Sequence, residues 1–181
     1  RTGFKFTGWN TEEDGTGTPY ADGAPYSFDA NITLYAQWTE NTYKVTFDAN
    51  GGTGTMSAQT ASTSTALTAN AFTRTGFKFT GWNTEEDGTG TSYADSALYS
   101  FDADITLYAQ WAAYGDVDGD GDVTDADRTK LARFLAGWSG YEIDEGVSDV
   151  NGDGEVTDQD RTVLARHLAG WIGYEILPYT V

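Results

Sequence analysis

Two twelve-residue stretches, 116–127 and 149–160, place Asp or Asn at positions 1, 3 and 5, Gly at 6, Thr at 9 and Asp at 12. Such spacing forces each stretch to curl around a point, because alternate oxygens converge while Gly121 and Gly154 take a turn that a Cβ resists. A calcium ion takes six to eight oxygens at about 2.3–2.6 Å, which is what such a curl supplies. The first loop offers Asp116, Asp118, Asp120, the carbonyl of Asp122, and Asp127. Thr124 acts either through a water or as the cap of a following helix. The second offers Asp149, Asn151, Asp153, the carbonyl of Glu155, Thr157 and Asp160. Solvated acidic turns are the bland alternative, but they would have to reproduce the full spacing twice. Two Ca2+ are expected.

The loops lie within a longer duplication, since 18 of the 23 positions from Asp116 to Trp138 are identical to those from Asp149 to Trp171. After each loop the spacing of Leu131, Phe134 and Leu135, and of Leu164, His167 and Leu168, predicts a helix that Gly137 or Gly170 stops. Neither helix buries its stripe alone, so the two are expected to pack together. A calcium sensor also needs a helix entering each loop. Only Ala112 to Gly115 precede the first loop, and Gly140 and Gly146 interrupt the stretch before the second.

With Asp instead of Glu at position 12, residues 114 to about 179 resemble the type I-like dockerin family. The resemblance implies an all-α module of two calcium-loop-helix motifs, F-hands, that is not catalytic. It implies a cohesin partner on a scaffoldin or cell-surface protein, in a cellulosome- or amylosome-like complex that degrades polysaccharide. It places cohesin contacts at Asp125, Ala126, Lys130 and Arg133 in the first copy and at Asp158, Gln159 and Arg166 in the second. The near identity of the copies allows two binding modes related by a half turn. The family's end closure maps onto Tyr114 and Pro178 as an intramolecular clasp.

The first 111 residues repeat too: Arg1–Trp38 and Arg74–Trp111 agree at 34 of 38 positions, a unit of 73 residues. Alternation of Tyr43, Val45 and Phe47, and of Ile105, Leu107, Ala109 and Trp111, predicts strands, with another at Phe77 and Phe79. The segments VTFDANGG, GFKFTGWNT and ITLYAQW resemble the internalin-type B repeat, or Listeria-Bacteroides repeat, which implies small all-β, β-grasp-like units in bacterial surface or secreted proteins. Three divisions are expected: 1–39 as a truncated repeat, 40–111 as a complete one, and 112–181 as the dockerin. The first repeat lacks its opening strand, which leaves a sheet edge uncovered and gives the chain the look of a piece of a longer array. Trp111 is expected in the core, whereas Trp82, beside a glycine turn, is expected to be the more exposed tryptophan.

Net charge is −18, split as −8 over residues 1–111 and −10 over 112–181. Such acidity argues against nucleic acid or an anionic membrane as a partner, since both are bound through Lys and Arg. No apolar run approaches the ~20 residues of a spanning helix. Without cysteine there are no disulfides or thiolate nucleophiles, and His167, the one histidine, has no nucleophile motif near it. The expectation is a noncatalytic, extracellular adaptor of a bacterium that binds a cohesin through calcium, with the β-repeats as spacer. The alternative is that the repeats bind carbohydrate or act in adhesion, touching polysaccharide themselves, with the dockerin as anchor; calcium storage without a protein partner is the third reading.

Overall fold

The computed structural model describes residues 1–179. Strands occupy the first part: β1 (Phe4–Asn10), β2 (Pro19–Tyr20), β3 (Tyr35–Glu40), β4 (Tyr43–Asp48), β5 (Gln59–Ala61), β6 (Thr65–Ala66), β7 (Phe77–Asn83), β8 (Ser92–Tyr93), β9 (Leu98–Tyr99) and β10 (Ile105–Ala113). Helices follow: α1 (Asp125–Leu135), α2 (Glu145–Ser148) and α3 (Asp158–Leu168). The chain divides into two compact units, one of Arg1–Val45, Thr60–Thr65 and Leu98–Asp104, the other of Thr46–Gln59, Ala66–Ala97 and Ile105–Val181.

In the first unit an antiparallel sheet runs β2-β1-β3. Its register slips between Phe6 and Gly8. Gly8 sits there at φ 138°, where a Cβ would come within 2.9 Å of the Tyr20 carbonyl oxygen, so the bulge needs glycine. Asn10 is buried; its amide donates to the carbonyls of Gly15 and Gly17 and its oxygen accepts from Glu12 N–H, tying down the acidic turn. In this sheet order β3 is an edge strand.

A five-stranded sheet has the order β5-β4-β10-β7-β8, so β10, the counterpart of β3, lies between neighbours. The core here includes Phe47, Leu67, Phe72, Leu107 and Ala109. Trp82 overturns its expected exposure: it is 0% exposed. A bulge in β7 at Thr80, facing the Gln110–Trp111 step of β10, sets Trp82 opposite Ala109, and the indole lies among Phe47, Phe72 and Phe79, with ring centroids 4.9, 6.1 and 5.0 Å away. Trp111 is half-buried, and its indole N–H donates to the Ala49 carbonyl at 2.9 Å.

Strand β10 continues past Trp111 to Ala113 and leads into the first acidic loop three residues later. Tyr114 N–H donates to the Gly76 carbonyl and Gly115 N–H to the Val147 carbonyl. Beyond this point Val117, Leu131, Val150, Val163, Leu164 and Leu177 form one core shared by α1 and α3. Just before the second loop stands α2, a single helical turn that the glycines had argued against. Asp144 makes it possible by capping Gly146 N–H at 2.8 Å, although four residues give no lever.

Candidate metal centre

Each loop is held in its curl by its own carboxylates. Asp116 accepts from Gly119 N–H at 2.8 Å and Gly121 N–H at 3.1 Å; Asp149 accepts from Gly152, Asp153 and Gly154 N–H at 2.8, 3.1 and 2.9 Å. Asp118 takes Asp120 N–H and Asp120 takes Asp122 N–H, and Asn151 and Asp153 do likewise for Asp153 and Glu155. These are short side chains capturing the backbone two residues on, which favours the tight turn.

At position 12, Asp127 and Asp160 are fully buried. Asp127 receives Val117 and Asp118 N–H on one oxygen, at 2.7 and 3.0 Å, and Thr124 N–H on the other at 2.7 Å. Asp160 receives Asn151 N–H at 3.2 Å and Thr157 N–H at 2.7 Å. Thr124 and Thr157 cap α1 and α3, accepting from Ala126 and Gln159 N–H, so each helix starts from a reciprocal capping box built on its own loop. One aspartate thus fixes loop curvature and helix start together.

Carboxylate oxygens of Asp116, Asp118 and Asp120 lie within 4.8 Å of one another. The Asp118 carboxyl is held above its ordinary value, first by lost hydration and then by the charges of Asp127, Asp120 and Asp116, against the backbone N–H of Asp120. Converging hard oxygens that repel one another fit a dication. In the second loop Asn151 replaces one carboxylate, and its amide donates to Asp153 at 2.8 Å.

The helix ends match as well. At the end of α1, Trp138 N–H returns to the Arg133 carbonyl and Gly137 N–H to that of Phe134; Trp171, Arg166, Gly170 and His167 repeat the arrangement after α3. Gly137 at φ 70° and Gly170 at φ 66° make these left-handed stops. The return lays each tryptophan over an arginine: Arg133 is 5.8 Å from the Trp138 ring and 5.0 Å from that of Tyr141, and Arg166 is 5.4 and 5.2 Å from Trp171 and Tyr174. Each guanidinium also donates to its tyrosine hydroxyl, Arg133 to Tyr141 at 3.0 Å and Arg166 to Tyr174 at 2.6 Å.

Of the expected contact residues, Asp125, Ala126, Lys130 and Arg133 line one depression with Tyr141, while Gln159 and Arg166 line its counterpart with Tyr174. Asp158 is ion-paired to Arg161 at 2.8 Å. Tyr114 packs on the core that holds Leu177, next to Pro178; the stacked ring pair of this region is Tyr174 with Tyr179, 4.4 Å apart.

Residues 1–37 and 43–110 match the Listeria-Bacteroides repeat domain, and residues 114–169 match the dockerin type I domain. The chain belongs to the Listeria-Bacteroides repeat family and carries a type I dockerin after its repeats. Both are families of noncatalytic modules. Two proteins of Evansella cellulosilytica are similar to it. A proposed Gly-rich membrane protein is 40% identical over 122 residues, covering 61% of this chain and 14% of that protein. A proposed membrane protein is 36% identical over 119 residues, covering 62% and 18%. The chain therefore spans less than a fifth of either relative. No solved structure matches it, and among the described residues no helix is long and apolar enough to cross a membrane.

Sequence reasoning about the dockerin missed Trp138, Tyr141, Trp171 and Tyr174. A signal was there: both pairs stand five and eight residues after the late helical arginine, at the same offsets in the two copies.

Proposed function

We propose that this chain is a calcium-dependent docking module, in which the dockerin binds two calcium ions and then a cohesin while the repeats hold it away from the rest of a larger secreted or surface protein. The observation that carries the reading is the pair of curled loops, each continuous with a capped helix, the first of which gathers carboxylate oxygens of Asp116, Asp118 and Asp120 within 4.8 Å of one another. Asp116, Asp118, Asp120, Asp127 and the Asp122 carbonyl would hold the first ion. Asp149, Asn151, Asp153, Asp160 and the Glu155 carbonyl would hold the second. Bound calcium supplies positive charge that cancels the repulsion among these carboxylates and so couples metal affinity to folding. Asp127 and Asp160 pass that ordering on to α1 and α3, whose outer faces are the docking surface. A cellulosome- or amylosome-like assembly outside a bacterial cell is the setting such a module fits.

Calorimetric titration against a panel of cohesins, with calcium and again with excess chelator, tests this. Tight binding to a cohesin only in calcium is the expected result, and silence across type I, type II and divergent cohesins would refute it. The rival reading, in which the repeats bind sugar, loses Trp82 as its anchor because that ring is buried in the core.

A further inference from the structure

We propose that Trp138 and Trp171, each laid over an arginine at the end of its helix, are the anchors with which the dockerin grips an acidic face of its cohesin. This inference rests on the docking function proposed above. Neither tryptophan serves the fold in the way Trp82 does: they are 59% and 56% exposed, and no metal loop uses them. Their positions are nonetheless fixed, because the left-handed stop after each helix returns the indole onto Arg133 or Arg166, and a tyrosine hydroxyl holds the guanidinium from its other end. Exposed aromatic surface that is already ordered loses little entropy on binding, which is why Trp, Tyr and Arg dominate interface energetics.

Each tryptophan closes one end of a shallow groove floored by small side chains, Ala132 and Ala136 in one copy and Ala165 and Ala169 in the other. Arg128 and Arg161 border both grooves. Four of the five cations in residues 112–181 therefore lie on this face, in a chain of net charge −18. Arg128 and Arg161 make exposed ion pairs to Asp125 and Asp158, at 2.9 and 2.8 Å, which a partner carboxylate can replace at little cost. A folded partner with a few acidic side chains fits a short cationic groove ending in an aromatic ring. A long polyanion fits poorly, because it would run on over the acidic loops. The grooves differ at the rim, where Ser139 follows Trp138 but Ile172, 95% exposed, follows Trp171, so the second copy offers more apolar surface.

The test uses the full chain in calcium and the cohesin that it binds most tightly. In the Trp138→Ala/Trp171→Ala double variant Kd is expected to rise about tenfold or more, with calcium-dependent helicity unchanged. A smaller rise in a chain that keeps its helicity would remove the anchors and leave cohesin docking standing. Failure of the wild-type chain to bind any cohesin would instead remove the docking reading, and the anchors with it. Arg128→Gln/Arg161→Gln is expected to flatten the fall of affinity with salt, and an unchanged slope would refute the acidic partner face. Retention of the wild-type chain on polygalacturonate, lost in the double tryptophan variant, would assign the face to a polysaccharide and overturn the proposal.

Discussion

Asp118 and Asn151 occupy the same place in the two loops, and they differ by one charge. Calcium affinity rises with the number of charged ligands, and the Asp118 carboxyl is already pushed up by lost hydration and by Asp127, Asp120 and Asp116. The first loop should therefore fill before the second. Calorimetric calcium titration should resolve two steps, and Asp118→Asn should bring them together by weakening the tighter one; a variant that still shows two separate steps would place the difference elsewhere. Much at this scale was readable, because ligand positions follow from chemistry and spacing. The double duty of Asp127, which receives backbone N–H groups from both sides of the loop, was not, since its partners are set by how the loop closes. Trp82 shows the same limit: a glycine neighbour reads as a turn, but the bulge at Thr80 and Gly81 of β7 itself decides which way the ring goes.

Among the elements, α2 is the one that spacing argued against, and it has an unusual support. Asp144, its cap, is ion-paired at 3.2 Å to Lys78 of β7. Burial raises the Asp144 carboxyl, yet the N–H of Gly146 and the Lys78 ammonium outweigh it and leave the group below its ordinary value. A lowered folded-state value means stability that is present above the ordinary carboxylate range and lost as pH falls through the folded value. Both partners are partly exposed, so the pair should contribute no more than about 1 kcal/mol. Lys78→Met is expected to lower the unfolding free energy by that amount at neutral pH, with the difference from wild type closing in acid. Gly146→Ala should act similarly, because its Cβ would meet the Lys78 side chain. Denaturant unfolding at neutral pH and at a series of falling acid pH values checks both, and a Lys78→Met deficit that does not shrink along the series would place its cause outside the ion pair. The long helices were legible because loop, cap, apolar stripe and glycine stop all agree. One turn of dockerin helix leaned on a strand of the β-repeat leaves no period to read.

On the scale of the molecule, the dockerin shares a compact unit with much of the complete repeat, namely Thr46–Gln59, Ala66–Ala97 and the strand that begins at Ile105. Tyr114 N–H on the Gly76 carbonyl and Gly115 N–H on the Val147 carbonyl carry the order of the sheet into the dockerin core. Calcium removal should therefore be felt across the junction. Hydrogen exchange in chelator is expected to quicken throughout 114–179 and at the Tyr114 amide, while the Trp82 segment of β7 stays protected. Equal protection with and without calcium would show that the ions do not hold this region. The duplications and the order of the modules were plain in the sequence, but their joint was not, because it depends on backbone groups that every residue possesses.

That joint bears on how the molecule searches for a partner. A dockerin on a loose tether sweeps a wide volume and loses orientational freedom when captured. Here the last strand of the repeat enters the first metal loop with no slack between them, so much of that freedom has been given up before any encounter. Strand β10 is built into the dockerin like the shaft of a key, and whatever binds the dockerin also sets the direction in which that strand points.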